Sequence, residues 1–220
     1  MAKSEKASKA PRSASRIDRP QEGEGGAHGL RRTLTLAGRR KKTSRVTIEA
    51  AGPASRISLR APAESLAALS RALGVKLPEQ PMGSAFGKSG DFAGTKGTGK
   101  GGGRAALWLG PDEWLVIDTE GGDPIADCRK AKVLHSAVDI SHRQVAIDVS
   151  GAGAADVLSA GCPRDLSLAV FPVGAAARTV MGKIEIVLLR TAEDAFRVEC
   201  WRSFSDYAFT FLAEAARDVP

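Results

Sequence analysis

The chain has 220 residues, which is room for one large domain or two small ones, and a formal net charge of +7. The positive charge is concentrated at one end, because residues 1–45 carry 13 Lys/Arg against 4 Asp/Glu while residues 46–220 carry 19 against 21. The near-neutral body argues against nucleic-acid binding by the folded part. No apolar run is long enough to span a membrane, and three widely spaced cysteines argue against a disulfide framework and favour a cytoplasmic protein.

Residues 1–44 form the basic segment that precedes the globular region. Up to Gly29 its apolar residues are mostly alanine, and it contains no aromatic side chain. Such a composition buries too little apolar surface to offset the entropy that is lost on ordering. We therefore predict a disordered basic tail over residues 1–44 and a globular region over residues 45–220. The tail lacks the apolar core of a signal peptide, so none is expected.

Two short strands and a helix are predicted at the start of the globular region. Val46–Glu49 and Arg56–Leu59 alternate polar and apolar residues, as half-buried strands do. Pro62 suits the first turn of a helix, and Gly74 suits the residue that follows its end. Three leucines at helical spacing form the apolar face of this helix: Leu66, Leu69 and Leu73.

Residues 83–103 interrupt this pattern, since nine of these 21 positions are glycine and three lysines lie among them. A phosphate-binding loop requires GxxxxGK followed by Ser or Thr, between a strand and a helix. The stretch Gly94–Lys100 has neither this spacing nor the hydroxyl residue, and no apolar strand precedes it. We predict a flexible Gly/Lys loop at the surface.

The segment Ala105–Ile117 contains two apolar runs separated by the turn sequence Gly110–Glu113, which predicts a β-hairpin. Trp108 and Trp114 lie near the turn on opposite arms, where aromatic side chains can pair across strands. The first arm is apolar on both faces. This pattern is typical of a strand that is buried between layers or covered by a partner chain.

The remaining elements follow as alternating helices and strands. Helices are predicted over Asp123–Val133, from Ser150 to about Ala160, and from Ser203 to about Arg217. Strands are predicted over Ala137–Ile140, Gln144–Val149, Arg178–Met181, Lys183–Arg190 and Phe196–Trp201. The first two of these strands are expected to pair with each other around the turn at residues 141–143.

The terminal helix begins with a capping-box pattern formed by Ser203 and Asp206. Its predicted packing face consists of Phe204, Ala208, Phe211, Leu212 and Ala215. Hairpins that alternate with single helices favour an α+β fold, with largely antiparallel sheets and helices packed on one face.

No catalytic, cofactor-binding or metal-binding residue is predicted. Asp139 and His142 are close in sequence, but a metal site needs three or four clustered ligands. Cys200 falls in a predicted core strand, where an inert buried thiol is expected. Cys162 follows a helix end, and either thiol would need a histidine base brought near by the fold. The glycine pair of Gly151–Gly153 lacks the third glycine of a dinucleotide-binding turn.

Turn and corner residues are instead candidates for contact with a partner protein. Aromatic and arginine side chains are enriched where protein interfaces gain most of their binding energy. The arginine of the 141–143 turn could also bind a carboxylate. The candidate interface residues are Trp108, Trp114, His142, Arg143, Trp201 and Arg202.

Four long motifs occur in a fixed order along the chain. They are AALWLGPDEWLVI (Ala105–Ile117), AVDISHRQVAIDVSG (Ala137–Gly151), AADVLSAGCPRDL (Ala154–Leu166) and AFRVECWRSFSDY (Ala195–Tyr207). They resemble signature stretches of the gamma subunit of heterotetrameric sarcosine oxidase, and the similarity spans about residues 55–217. The stretch Val138–Leu158 also resembles, more distantly, the folate-binding domain of the aminomethyltransferase (glycine cleavage T-protein) family.

The resemblance implies a non-catalytic, accessory role in an enzyme that demethylates sarcosine oxidatively to glycine and reduces O₂ to H₂O₂. It implies that the one-carbon unit passes to tetrahydrofolate or leaves as formaldehyde. It further implies that FAD, FMN, NAD and folate belong to partner alpha and beta subunits and zinc to a delta subunit, with none held by this chain. The implied fold is that of the aminomethyltransferase folate-binding domain. The tail and the Gly/Lys loop look like additions to the family pattern.

Two alternative functions stay open from the sequence. The similarity to the T-protein is compatible with a stand-alone folate-binding or one-carbon transfer protein. The basic tail is compatible with salt-sensitive binding to nucleic acid.

Overall fold

The structure, a computed structural model, describes residues 35–87, 92 and 103–219. Residues 1–34 of the predicted tail and most of the predicted Gly/Lys loop lie outside these residues. The strands are β1 (Arg40–Lys42), β2 (Thr47–Ala50), β3 (Ser55–Arg60), β4 (Ser84–Phe86), β5 (Arg104–Gly110), β6 (Glu113–Asp118), β7 (Ser136–Asp139), β8 (Gln144–Ser150), β9 (Ala176–Met181), β10 (Ile184–Ala192) and β11 (Ala195–Trp201). The α-helices are α1 (Leu66–Leu73), α2 (Pro124–Lys130), α3 (Ala154–Ser159) and α4 (Ser205–Asp218), with 3₁₀ turns at Ala63–Ser65 and Arg202–Phe204.

The strands form two sheets in which every pairing is antiparallel. The six-stranded sheet has the order β1-β2-β8-β11-β10-β9, and the five-stranded sheet has the order β4-β5-β6-β3-β7. Apolar side chains from both sheets meet in one layer: Ala105, Leu107, Leu115 and Ile117 from the five-stranded sheet, and Ala176, Val187 and Leu189 from the six-stranded sheet. The two sheets therefore pack face to face.

Helices cover the outer face of each sheet. Val157 and Leu158 of α3 and Leu212 of α4 pack with the strand residues of the six-stranded sheet that point away from the five-stranded sheet. On the five-stranded sheet the leucine face of α1 and Cys128 of α2 pack with the outward-facing residues of β3 and β6. The predicted arrangement, antiparallel sheets with helices on one face of each, is confirmed.

The predicted hairpin is also confirmed, and its first arm is buried because it lies between layers. Trp108 and Trp114 are direct cross-strand partners in β5 and β6. Ala105 and Leu107 face the other sheet, whereas Ala106 faces the layer that contains α1 and α2. No partner chain is needed to explain why this arm is apolar on both faces.

Several predicted details are wrong. The strands on either side of residues 141–143 do not pair with each other, because β7 pairs with β3 in one sheet and β8 pairs with β2 and β11 in the other. The chain crosses between sheets at this turn. Helix α3 begins at Ala154, after Gly153, without a side-chain cap from Ser150. The final segments of the predicted tail and the start of the predicted loop contain short strands, β1 and β4.

The terminal helix also differs from its prediction. A 3₁₀ turn occupies Arg202–Phe204, so α4 starts at Ser205 and no side-chain cap forms at its first turn. Because the helix starts later than predicted, its packing face is formed by a different set of residues. Its buried residues are Ser205, Ala208, Phe209, Leu212 and Ala216, while Phe204 is exposed.

A buried ionic cluster joins the two sheets. The guanidinium group of Arg56 on β3 donates to both carboxylate oxygens of Glu199 on β11, at 2.7 and 3.2 Å. Arg197, two residues earlier on β11, donates from Nε to the same carboxylate at 2.9 Å and from Nη1 to Asp148 at 3.4 Å. The side chains of Arg56, Glu199 and Arg197 are at most 3% exposed.

The charge state of this cluster follows from its geometry. Burial by itself favours the neutral form of Glu199, but the adjacent Arg56 and Arg197 outweigh this effect and lower the pKa of the carboxyl group. Glu199 is therefore ionised at neutral pH, with one negative charge held between two positive charges.

Replacing Glu199 by glutamine leaves two buried guanidinium groups without their shared carboxylate. We expect E199Q to lower the free energy of unfolding by about 3–5 kcal/mol, the usual effect of breaking a buried ion pair from one side. Urea unfolding at pH 7 measures this. Glu185→Gln is the matched control, since that side chain is 55% exposed, and its change should stay within about 0.5 kcal/mol. A similar small loss in both variants would contradict the structural role of Glu199.

The lowered pKa also predicts a pH dependence. A carboxylate with a depressed folded-state pKa contributes its full stability above the unfolded-state pKa of about 4.3, and loses it as pH falls through the lower folded-state value. The free energy of unfolding should therefore fall with pH below about 4.3, more steeply in the wild-type chain than in E199Q. Parallel curves for the two proteins between neutral and acid pH would show that Glu199 does not carry this dependence.

Candidate functional site

Three aromatic side chains are exposed at one end of the six-stranded sheet. Trp201, Phe204 and Tyr207 are 40%, 41% and 38% exposed, and they are the large exposed aromatic residues of the described chain. They follow one another where β11 leads into α4. The rings of Trp201 and Phe204 stack with centroids 6.1 Å apart and an interplanar angle of 24°.

The neighbouring turns hold these rings in place. The backbone oxygen of Arg143 accepts a hydrogen bond from the backbone N–H of Arg202 at 2.7 Å. The Arg143 guanidinium lies 5.2 Å from the centre of the Trp201 ring, which is cation–π geometry. On the other side, the hydroxyl of Tyr207 accepts a hydrogen bond from the backbone N–H of Lys183 at 3.4 Å. We call Arg143, Lys183 and the three exposed rings the aromatic end.

Gly182 allows the close approach of Tyr207. Its φ of +58° lies in the left-handed region, and a β-carbon at this position would collide with the Tyr207 hydroxyl. The turn between β9 and β10 is therefore shaped to accept the aromatic ring of α4.

A groove lies beside Arg143 of the aromatic end and near the tip of the hairpin. Leu109, Glu113 and Trp114 of the hairpin line it together with Arg143 and Gln144. The remaining lining includes Arg178 and Glu185 of the six-stranded sheet. The structure thus brings two of the predicted interface segments, the hairpin and the turn at 141–143, to a single location.

Ionised groups close one side of this groove. The Glu113 carboxylate, which is 14% exposed, accepts hydrogen bonds from Arg178 at 2.5 Å and from Arg60 at 3.2 Å. The hydrogen bond from Arg178 to Glu113 raises the pKa of Arg178. Gln144 is only 8% exposed, and its Oε1 accepts no hydrogen bond from the described residues. A buried acceptor without a partner costs about 1–3 kcal/mol.

The six predicted interface residues have different environments. His142 and Arg202 are exposed beside Arg143 and Trp201. Trp108 is half-buried on the outer face of the five-stranded sheet. Trp114 is only 1% exposed and donates from Nε1 to the backbone oxygen of Pro78 at 2.7 Å. Trp114 is thus a core residue, and its candidacy as an interface residue is corrected by its burial.

Phe204 and Tyr207 belong to the site but were not among the predicted interface residues. Phe204 has the spacing of a helical packing residue, so the sequence predicts that it is buried. Only the short 3₁₀ turn before α4 points the ring outward. No pattern in the sequence distinguishes such a turn from the first turn of the helix.

The thiols offer no exposed nucleophile. All three cysteines are buried, and burial raises the pKa of Cys128 to about 11 and that of Cys200 to about 12. Within the described residues no group of three or more His, Cys, Asp or Glu side chains could hold a metal ion. Asp139 accepts a hydrogen bond from the backbone N–H of Ser141 at 2.8 Å, which is a turn-stabilising contact.

A second exposed apolar surface lies on the loop between α3 and β9. Leu168, Val170 and Val173 are 45–50% exposed there. The buried guanidinium of Arg190 donates to the backbone oxygens of Leu166 and Phe171, each at 2.8 Å, and so fixes the loop. The same loop also carries Arg164 and Asp165, one charge of each sign.

The fold and the site define an α+β domain of two face-packed antiparallel sheets, with an exposed aromatic surface and no catalytic cluster among its described residues. The fold is shared with the glycine cleavage system aminomethyltransferase T from Bartonella henselae. That structure matches with a TM-score of 0.55 at 12% identity, covering 79% of this chain and 46% of that one. None of the helices in the described part of the chain has the length and apolar character needed to cross a membrane.

The chain belongs to the sarcosine oxidase gamma subunit family, whose model matches residues 60–218. A sarcosine oxidase subunit gamma from Corynebacterium sp. (strain P-1) is 34% identical over 152 residues, which is 68% of each chain. The Arthrobacter sp. relative of the same name is 33% identical over 151 residues, again 68% of each chain. A chain of the heterotetrameric sarcosine oxidase from Corynebacterium sp. U-96, solved with pyrrole 2-carboxylate, matches with a TM-score of 0.71 at 29% identity, covering 82% of this chain and 88% of that one.

The contrast between two tryptophans gives a test of the site. Trp114→Ala should lower the free energy of unfolding by about 3–5 kcal/mol because it empties a core position. Trp201→Ala should lower it by about 1 kcal/mol, the scale of a stacking contact and an exposed cation–π contact. Urea unfolding of the purified chain compares them, with Trp114→Phe as a milder core variant if the alanine variant does not fold. Equal losses at both positions would contradict the surface assignment of Trp201.

Proposed function

We propose that this chain is a non-catalytic accessory subunit of a heterotetrameric sarcosine oxidase. The observation that carries the proposal is membership of the gamma subunit family over residues 60–218. The likeness to a chain of the Corynebacterium heterotetramer, at a TM-score of 0.71, supports it from the side of structure. The proposed reaction of the assembly is the oxidative demethylation of sarcosine to glycine, with production of H₂O₂ and transfer of the one-carbon unit to tetrahydrofolate or its release as formaldehyde.

In this proposal the partners are alpha, beta and delta subunits in the cytoplasm. FAD, FMN, NAD and tetrahydrofolate are bound by alpha and beta, and zinc is bound by delta. The described part of the chain has a filled interior. Between the two sheets the space is filled by apolar side chains and by the cluster around Glu199, and the thiols are buried.

The contribution of this chain is then structural. An accessory subunit must fold into a defined shape and present a surface that its partners recognise. The aromatic end, with Arg143, Trp201 and the adjacent His142 and Arg202, is the proposed location of such a contact. Trp108 stays a second, half-buried candidate on the other sheet.

Co-expression with candidate alpha, beta and delta chains tests the proposal. We expect the tagged chain to retain all three partners through purification, and the complex to consume O₂ when sarcosine is added. The chain purified alone should show no flavin absorbance and no sarcosine turnover, and calorimetry should detect no tetrahydrofolate binding. Failure to retain the partners, or sarcosine oxidation by the isolated chain, would overturn the proposal.

A further inference from the structure

We infer that the aromatic end is the docking surface for an acidic segment of a partner subunit. The inference rests on the proposed function and specifies the chemistry of the partner. Trp, Tyr and Arg are the residues that most often dominate the binding energy of protein interfaces. The aromatic end combines Trp201 and Tyr207, at the boundary of β11 and α4, with Arg143 of the turn before β8.

The surface is organised before any partner binds. Trp201 lies between the ring of Phe204 and the guanidinium of Arg143. Tyr207 is tied to the turn at Lys183 by its hydroxyl and packs against Phe211 with centroids 6.1 Å apart. Side chains that are already restrained lose less conformational entropy on binding, so more of their contact energy appears as affinity.

The charges indicate an anionic partner. Within the described residues, Arg143 and Lys183 form no ion pair with a carboxylate. The neighbouring acids are engaged elsewhere, since Asp206 pairs with Arg39 and Glu185 lies 4.0 Å from Arg178. Among the described residues, no carboxylate therefore pairs with these two exposed cations, and one of them, Arg143, lies against the Trp201 ring. Carboxylates on an incoming segment would complement them, while its apolar groups cover the rings.

Gln144 lines the groove and connects it to the aromatic end. It is the cross-strand partner of Trp201, and its buried Oε1 accepts no hydrogen bond from the described residues. The loop with Leu168, Val170 and Val173 carries one charge of each sign, at Arg164 and Asp165, and so favours neither an acidic nor a basic partner.

Charge reversal gives the central test, in the full chain co-expressed with the three other subunits. We expect Arg143→Glu with Lys183→Glu, and separately Trp201→Ala, to reduce the retained partners by about tenfold or more, equivalent to about 1.4 kcal/mol of binding free energy. The matched control is Arg71→Glu with Lys76→Glu, two exposed cations on the side of α1. Leu134→Ala, at a side chain that is 76% exposed, controls for loss of apolar surface. Both controls should retain partners as the wild-type chain does.

Salt dependence and folding complete the experiment. Assembly of the wild-type chain should weaken as NaCl rises from about 50 to about 500 mM, because screening acts on exposed charges. Circular dichroism and thermal unfolding establish that each variant is folded. Wild-type retention by the charge-reversal variant or by Trp201→Ala would overturn the inference and leave the proposed function intact. A wild-type chain that retains no partner would instead overturn the proposed function itself.

Discussion

The carboxylate of Glu199, held between Arg56 and Arg197, is the contact on which the arrangement of the two sheets depends. Apolar packing between sheets is non-directional and tolerates small displacements of one face over the other. The bidentate hydrogen bond between Arg56 and Glu199 does not tolerate such displacements, because both oxygen–nitrogen distances must stay short. The cluster therefore fixes β3 against β11 in the middle of the molecule.

The ionic cluster also affects the surface, because side chains alternate between the two faces of β11. Side chains at every second position of a strand share a face, so Arg197, Glu199 and Trp201 all point toward the side of the five-stranded sheet. Trp201, the last residue of β11, is exposed on that side. The residue that we assign to partner contact is thus set in position by the ionic cluster two residues earlier. The fold that the chain shares with the aminomethyltransferase structure does not by itself identify a function, since one fold hosts many functions.

The sequence predicted most strands and the hairpin because alternation and turn residues are local signals. Pairing is not local. The turn at 141–143 has the sequence of a hairpin, yet β7 and β8 belong to different sheets, and only the competing partners β3 and β11 decide this. The ionic cluster could not be predicted for a related reason. Arg56, Arg197 and Glu199 resemble the solvent-facing positions of half-buried strands, and a second sheet covers that face. Trp114 was predicted as a candidate for partner contact because no local signal reveals that the backbone oxygen of Pro78 accepts a hydrogen bond from its indole N–H.

The short strand β1 has a consequence for self-association of the chain. It forms the edge of the six-stranded sheet, and its three residues, Arg40–Lys42, are all cationic. An open sheet edge is a template for adding further strands, and like charges on the edge strand of a second copy repel it. Salt bridges from Arg40 to Glu49 and from Arg39 to Asp206 fasten this edge to the body. The charge of β1 therefore disfavours pairing of this edge with the same edge of a second copy.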